Sequence, residues 1–334
     1  MSLNHVKSYN EEIRQWLIKV AALAAAIPKG SLAPRKCPVC GAGESSFFAD
    51  NSHLDYVRCG NCALVYMNPA PDAELVDQGF QGEDELLMEY FSLISRYKGG
   101  IPERPDPAAD NKLKDIYRFK TSGRLLDLGC SVGDFLHKAK HFYQAEGLEV
   151  NPLTAAIAEQ HFTVHKGFLA ELALKPVYDI VTLHQILYGL PDPVGLLRDI
   201  HRILKQDGLL YINTPNADSY AVELYRGKVN HLYGYTTLNL FNESSLSALA
   251  ARCGFKVLSL RTEWLDIYLS DLTEFYDHPD RFIHKRNCHL PNYERKMAQE
   301  DGLQQSLYPD LGRRGNYLVA VLGKADGVPG AERR

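Results

Sequence analysis

The sequence is short of several things, and each shortage excludes a class of protein. No apolar run approaches the roughly 20 residues that a membrane-spanning helix needs. The run Val20 to Ile27 is far too short, and Glu11, Glu12 and Lys19 ahead of it do not make the basic-then-apolar order of a secretory leader. It reads as an amphipathic N-terminal helix. Basic surplus is missing too: 37 Lys+Arg face 41 Asp+Glu, a net charge of -4, so the surface as a whole is no platform for phosphate backbones. Seven cysteines in 334 residues do not form the dense, even-numbered framework of a small secreted scaffold, which points to a reducing, cytoplasmic setting. Internal repeats and low-complexity blocks are absent as well. What is present is ordinary globular material, 45% hydrophobic and 23% charged, and long enough for about two domains.

Four of the cysteines are arranged for a metal. Cys37-Pro-Val-Cys40-Gly and Cys59-Gly-Asn-Cys62 are two C-x2-C pairs with 18 residues between them. Each short turn aims two thiolates at a common point, and two such turns complete a tetrahedral zinc site. With four cysteine ligands no coordination position stays open, so the expected Zn2+ is structural. Strand-like residues flank the second pair (Tyr56-Val-Arg58 and Leu64-Val-Tyr66), as a zinc ribbon requires.

From Arg124 onward short apolar runs alternate with helical segments, the pattern of a parallel sheet covered on both faces. Seven strands are expected: Arg124–Leu128, Ala145–Leu148, Thr163–His165, Ile180–His184, Leu209–Asn213, Lys256–Leu260 and Tyr317–Leu322. The fold class is therefore α/β, Rossmann-like, with a seven-stranded, mostly parallel sheet preceded by a small zinc ribbon. The expected divisions are an N-terminal helix and linker at 1–34, the ribbon at 35–70, a helical connector at 71–120, the core at 121–263, an insertion at 264–314, and a last strand with a loose tail at 315–334.

The first core strand runs into Asp127-Leu-Gly129-Cys-Ser-Val-Gly133, a glycine-bearing turn that lets a ligand approach the backbone. It is not the G-x-G-x-x-G of a dinucleotide fold, and it carries an acid on the strand side. Glu149, at the end of the second strand, is placed to accept hydrogen bonds from both hydroxyls of a ribose.

These residues resemble the class I S-adenosylmethionine-dependent methyltransferases. The likeness runs through Leu125-Leu-Asp-Leu-Gly-Cys-Ser-Val-Gly-Asp-Phe-Leu136, Gly147-Leu-Glu-Val-Asn-Pro152, Tyr178-Asp-Ile-Val-Thr-Leu-His184 and the stretch from Leu190 to Asn216, covering about residues 120 to 260. The knuckles upstream are more loosely similar to a bacterial subgroup that includes sugar C-methyltransferases and enzymes of natural-product clusters. The resemblance implies that Gly129, Cys130, Ser131 and Gly133 line the methionine end of the cofactor, with Asp127 beneath. It further implies that Glu149 holds the ribose, that Val150 packs on adenine beside Gly167 and Phe168, and that Leu183 and His184 face the sulfonium. At Phe168 many relatives carry an acid, so stacking or backbone contact is expected there instead. Where many relatives read Leu-Glu-His before Pro-Asp-Pro, this chain reads Leu187-Tyr188-Gly189, so a usual histidine beside the reacting methyl is missing.

The candidates for proton removal are then His231, Tyr188, Tyr235 and His184, His231 being the first choice because histidine titrates near working pH. A further group, His278, His284, Cys288 and His289, lies in the insertion; it reads as solvated or packing residues before it reads as a second metal site. The insertion itself reads as a substrate cover or an oligomer contact. The expected acceptor is a small metabolite, a sugar nucleotide or natural-product intermediate, with neither nucleic acid nor membrane as partner. Two alternatives are an RNA methyltransferase gripping its substrate with the ribbon through Arg35, Lys36 and Arg58, and a cofactor-binding scaffold without chemistry.

Overall fold

The computed structural model describes residues 12, 15, 16, 18–20, 22–51, 54–98, 109–172, 175–225, 232, 236–263 and 314–325. His231, Tyr235 and the histidine-cysteine group of the insertion lie outside the described residues.

Eleven strands are described: β1 (Ser45–Asn51), β2 (Leu54–Cys59), β3 (Val65–Met67), β4 (Arg124–Leu128), β5 (Gln144–Glu149), β6 (Val164–Lys166), β7 (Tyr178–His184), β8 (Leu204–Pro215), β9 (Asn239–Leu240), β10 (Phe255–Glu263) and β11 (Tyr317–Lys324). They form a seven-stranded sheet in the order β10-β11-β8-β7-β4-β5-β6 and a four-stranded sheet in the order β1-β2-β3-β9. In the large sheet β4, β5, β6, β7 and β8 run parallel, while β11 is antiparallel to both β8 and β10. The seven-stranded, mostly parallel sheet expected from the sequence is thus present. Its strand order reverses beside β4, whose neighbours are β5 and β7, and at such a reversal a crevice opens outside the carboxyl ends of the strands.

Successive strand residues point to opposite faces, and each face has its own cover. On one face Leu126, Leu128, Val181, Leu183 and Ile212 pack beneath the helices Pro193–Ile203 and Glu243–Arg252. The first of these helices starts where its sequence says it should. Asp192 caps it by accepting the Gly195 N–H at 2.8 Å, Pro193 occupies the first turn, and Val194, Leu197, Ile200 and Ile203 recur on the buried side. On the other face Leu125, Ile180, Tyr211 and Val319 pack against Leu113 and Ile116 of the helix Ala109–Tyr117 and against Phe135 and Leu136.

The small sheet is continuous with this core. Val39, Leu64 and Tyr66 share the first cluster with Leu183 and Phe241, and β9, which closes the small sheet, comes from the segment after β8. The connector between the sheets contains the helices Ala73–Gln78 and Glu85–Lys98, joined by a π-helical turn, Gly79–Glu83. Trp16 and Val20 of the N-terminal helix pack on Leu93 of the second, and the Trp16 indole donates to the Leu86 carbonyl at 2.7 Å.

Candidate active site and cysteine cluster

The glycine turn after β4 is built on positive backbone angles. Gly129 (φ 70), Ser131 (φ 51) and Gly133 (φ 89) all lie in the left-handed region, which glycine enters freely and serine does not. A Cβ on Gly129 would collide with the Ile186 side chain, and one on Gly133 would lie 3.0 Å from the Phe162 ring. Both glycines are therefore required by space as well as by angle.

Glu149 organises this turn. Its carboxylate is buried and accepts the Ser131 N–H and the Asn151 N–H, each at 2.8 Å. Burial pushes its carboxyl upward, and the backbone donors at Asn151 and Ser131 pull against that. The Ser131 N–H serves one oxygen and the Asn151 N–H the other, and the Val150 N–H and the Thr154 hydroxyl also favour the charged form. Asn151 next to it caps the helix Pro152–Ala158 through the N–H groups of Leu153 and Thr154, and its side-chain amide donates to the Phe80 carbonyl at 3.2 Å. The connector thereby reaches the edge of the site.

Beneath the turn, on the face carrying Leu125 and Tyr211, Asp127 is buried and accepts the Thr182 hydroxyl at 2.7 Å. His184, one strand over, has Nε2 3.8 Å from Asp127 Oδ1. Its ring lies edge-on to Phe135 at 4.4 Å and tilted against Tyr211 at 5.3 Å, and neither ring nitrogen has a hydrogen-bond partner among the described residues. Burial first, and Lys112 second, hold this histidine well below its ordinary pKa, so it is neutral near pH 7. Ser131 Oγ is likewise buried without a hydrogen-bond partner among the described residues. Three orphaned polar atoms facing a glycine turn mark a place prepared for a polar ligand.

The residues named from the sequence for cofactor contact are divided by this geometry. Gly129, Ser131, Gly133 and Glu149 come together around the turn. Cys130 is buried, its thiol directed at Gly147 and held in the un-ionised form by burial, so its side chain packs the turn from behind. Leu183 requires a correction. Its side chain is wholly buried in the cluster on the opposite face from His184, because neighbours on a strand alternate, and only its backbone faces the crevice end. Val150 is half-buried beyond Glu149. Gly167 (φ 104) and Phe168 open a short helical turn whose Glu171 carboxylate accepts the Phe168 N–H at 3.1 Å. Ile186, Thr182 and Phe80 were not singled out from sequence; only Thr182 carried a signal, as a polar residue inside an apolar strand.

Tyr188 lies half-buried in the 3-10 turn Leu187–Gly189 after β7. Beyond the end of β8 a cleft of about 320 Å3 opens between the two sheets, lined among others by Phe47, Arg58, Asp218, Glu223 and Arg314. Arg58 pairs with Asp218 at 3.0 Å, and Arg314 pairs with Glu223.

The ligand atoms of Cys37, Cys40, Cys59 and Cys62 all lie within 4.8 Å of one another. Sγ···Sγ is 3.5 Å for both Cys37–Cys62 and Cys40–Cys59. Tetrahedral zinc with Zn–S near 2.3 Å needs sulfurs roughly 3.8 Å apart, so the four thiols fit it. Hydrogen bonding from Cys62 holds Cys37 down to about 5, on the thiolate side. Positive φ at Gly41 (77) and Ala63 (61) turns the chain just after each pair.

Residues 103–260 match a family model described as a methyltransferase domain. No curated protein matches the chain. Among solved structures, a chain from the complex between the Haloferax volcanii Trm112 methyltransferase activator and a methyltransferase is similar at 18% identity and TM-score 0.50, over 72% of this chain and 97% of that one. Phosphoethanolamine N-methyltransferase 2 of Haemonchus contortus, solved with S-adenosyl-L-methionine, aligns at 18% identity and TM-score 0.49, over 78% of this chain and 63% of that one. At 18% identity the first of these likenesses speaks for the fold alone, and the matched domain speaks for methyl transfer. Together with the strand order and the glycine turn, they make residues 103–260 a methyltransferase domain of the class I fold.

Proposed function

We propose that this enzyme methylates a small metabolite, a sugar nucleotide or natural-product intermediate, and that Cys37, Cys40, Cys59 and Cys62 hold a structural zinc. The observation that carries the S-adenosylmethionine assignment is Glu149, a buried carboxylate at the end of β5 fixed against the glycine turn by the Ser131 and Asn151 N–H groups. In this reading Glu149 accepts both ribose hydroxyls, and Gly129, Ser131 and Gly133 seat the methionine portion over the turn. Asp127 and His184 form the floor, Cys130 supports the turn from behind, Gly167 and Phe168 border the adenine with Val150, and Leu183 contributes backbone alone.

When bound, the sulfonium supplies an electrophilic methyl and a neutral thioether leaving group, so the chain's tasks are alignment and, where the acceptor needs it, proton removal. A buried histidine that resists protonation suits the floor better than proton storage, which leaves His231, Tyr188 and Tyr235 as the groups to accept the acceptor's proton. His231 is our first choice. His231→Ala should lower the rate with cofactor affinity preserved.

Support for a small acceptor comes from the basic residues near the knuckles. Arg35 is spent on internal carbonyls, Arg58 is paired with Asp218, and the cleft beside β8 balances two arginines with two carboxylates. A neutral cleft suits a compact polar molecule better than a phosphodiester chain. The test is incubation of zinc-loaded enzyme with methyl-labelled S-adenosylmethionine and fractionated cell extract. Label is expected in the small-metabolite fraction; label in RNA instead would overturn the acceptor assignment.

A further inference from the structure

The ribbon and the crevice share a set of hydrogen bonds that neither zinc binding nor cofactor binding requires. Arg35, two residues before the first cysteine, donates from Nε to the Met67 carbonyl at 3.0 Å. From Nη2 it donates to the Leu238 carbonyl at 2.7 Å and to Asn239 Oδ1 at 3.2 Å. Its own backbone N–H is held by Asn68 Oδ1 at 2.9 Å, and its guanidinium lies 5.5 Å from the centre of the Tyr66 ring. Leu238 O also takes the Met67 N–H at 2.9 Å, and the Tyr56 hydroxyl donates to Thr237 O at 2.7 Å. The ribbon therefore grips residues 237–239 at several points.

Those residues in turn grip the turn that ends β7. Leu238 N–H donates to the Tyr188 carbonyl at 2.9 Å, and the Asn239 amide donates to the Leu190 carbonyl at 2.7 Å. Between them Gly189 is buried so closely that a Cβ there would stand 3.2 Å from Thr236 O. Asn239, fully buried, is the junction: its oxygen takes the Arg35 guanidinium and its nitrogen holds Leu190.

We propose that the ribbon is a strut for the wall of the crevice beyond β7, and that Arg35 is its positioning residue, fixing the turn 187–190 through Leu238 and Asn239. Resting on the methyltransferase reading, this wall is where the methyl acceptor meets the enzyme, so metal occupancy and acceptor alignment are mechanically linked. The planar fork of arginine reaches the two elements from separate nitrogens, a spacing that the three donors of lysine's single ammonium match poorly.

Amide hydrogen exchange on the full-length, zinc-loaded protein reads the strut. Arg35→Met should speed exchange at Leu238 and across 187–190 by about tenfold or more, the equivalent of one lost charge-assisted hydrogen bond, with β4 protected and zinc retained. Arg35→Lys should restore that protection only in part. Asn239→Ser, which cuts the bridge to Leu190 and one Arg35 bond but leaves Arg35 on the Met67 and Leu238 carbonyls, should loosen 187–190 while β1 and β2 stay protected; it carries the test alone if Arg35→Met does not fold. Unchanged protection at 187–190 in Asn239→Ser, or in a folded Arg35→Met, overturns the proposal. Calorimetry with S-adenosylhomocysteine reports separately: absence of heat with the wild type would sink the cofactor reading and leave the exchange result to decide the strut.

Discussion

At Glu149 two demands meet, one from the fold and one from the ligand. The carboxylate pins the Ser131 and Asn151 amides, so it shapes the turn before any cofactor arrives. A carboxylate held in this way at the mouth of the turn is what a diol can use. Glu149→Ala should therefore weaken S-adenosylhomocysteine binding by about 1.5 to 3 kcal/mol, read by calorimetry, since hydrogen bonds to a charged partner are worth about that much. Glu149 was legible in the sequence because a single acid closes an apolar strand twenty residues after the glycine turn. The sequence reading turned both Leu183 and His184 toward the sulfonium, whereas the alternation that any strand imposes puts their side chains on opposite faces of the sheet.

At the scale of elements, the strands of the large sheet fall within a few residues of the runs that announced them, most clearly β4, β7 and β11, because a strand buried on both faces is nearly continuously apolar. The helix Pro193–Ile203 was equally readable, with Asp192 and Pro193 at its start. Asp192→Ala should cost about 1 kcal/mol in urea denaturation, the usual worth of a cap. The cysteine spacing announced the four-thiol cluster. Cys59→Ser should reduce bound zinc from near one per chain to a small fraction, by metal analysis, and lower the melting temperature; a variant that keeps both would refute a structural site. What the sequence could not announce is β9. Two residues, Asn239 and Leu240, carry no pattern of their own, and they become a strand only because β3 offers an edge. The contact of Phe80 with Asn151 is hidden for the same reason, since it joins two elements through one side-chain amide and one carbonyl.

For the molecule as a whole, burial sets the response to acid. His137, His184 and His201 are all held below the ordinary histidine value of 6.5, by burial first in each case. In the unfolded chain they protonate as pH falls through 6.5, while the folded chain resists, so the unfolded state binds more protons and is favoured. Their contribution is complete above pH 6.5 and shrinks as pH falls below it. Urea midpoints measured from pH 7.5 to 5 should decline over that interval, and His184→Gln should flatten the slope whatever it does to the midpoint at pH 7.5. At lower pH Glu146 and Asp179 add a second loss. Each is desolvated, which raises its pKa, but Arg124, His165 and Tyr178 around Glu146 and Lys205 and the Arg124 amide around Asp179 outweigh that and hold both below their ordinary values. Their stabilisation is present above about pH 4.5 and lost as pH falls through the depressed values.

The closing of the small sheet by β9 also dictates an order of events during synthesis. Arg35 and Leu238 are 203 positions apart along the chain, so a ribosome has finished the cysteine knuckles long before it delivers the strand that completes them. The nascent N-terminal unit must wait with an open edge at Val65–Met67, kept in register by its pairing with β2 and by any metal captured early, until its late partner emerges.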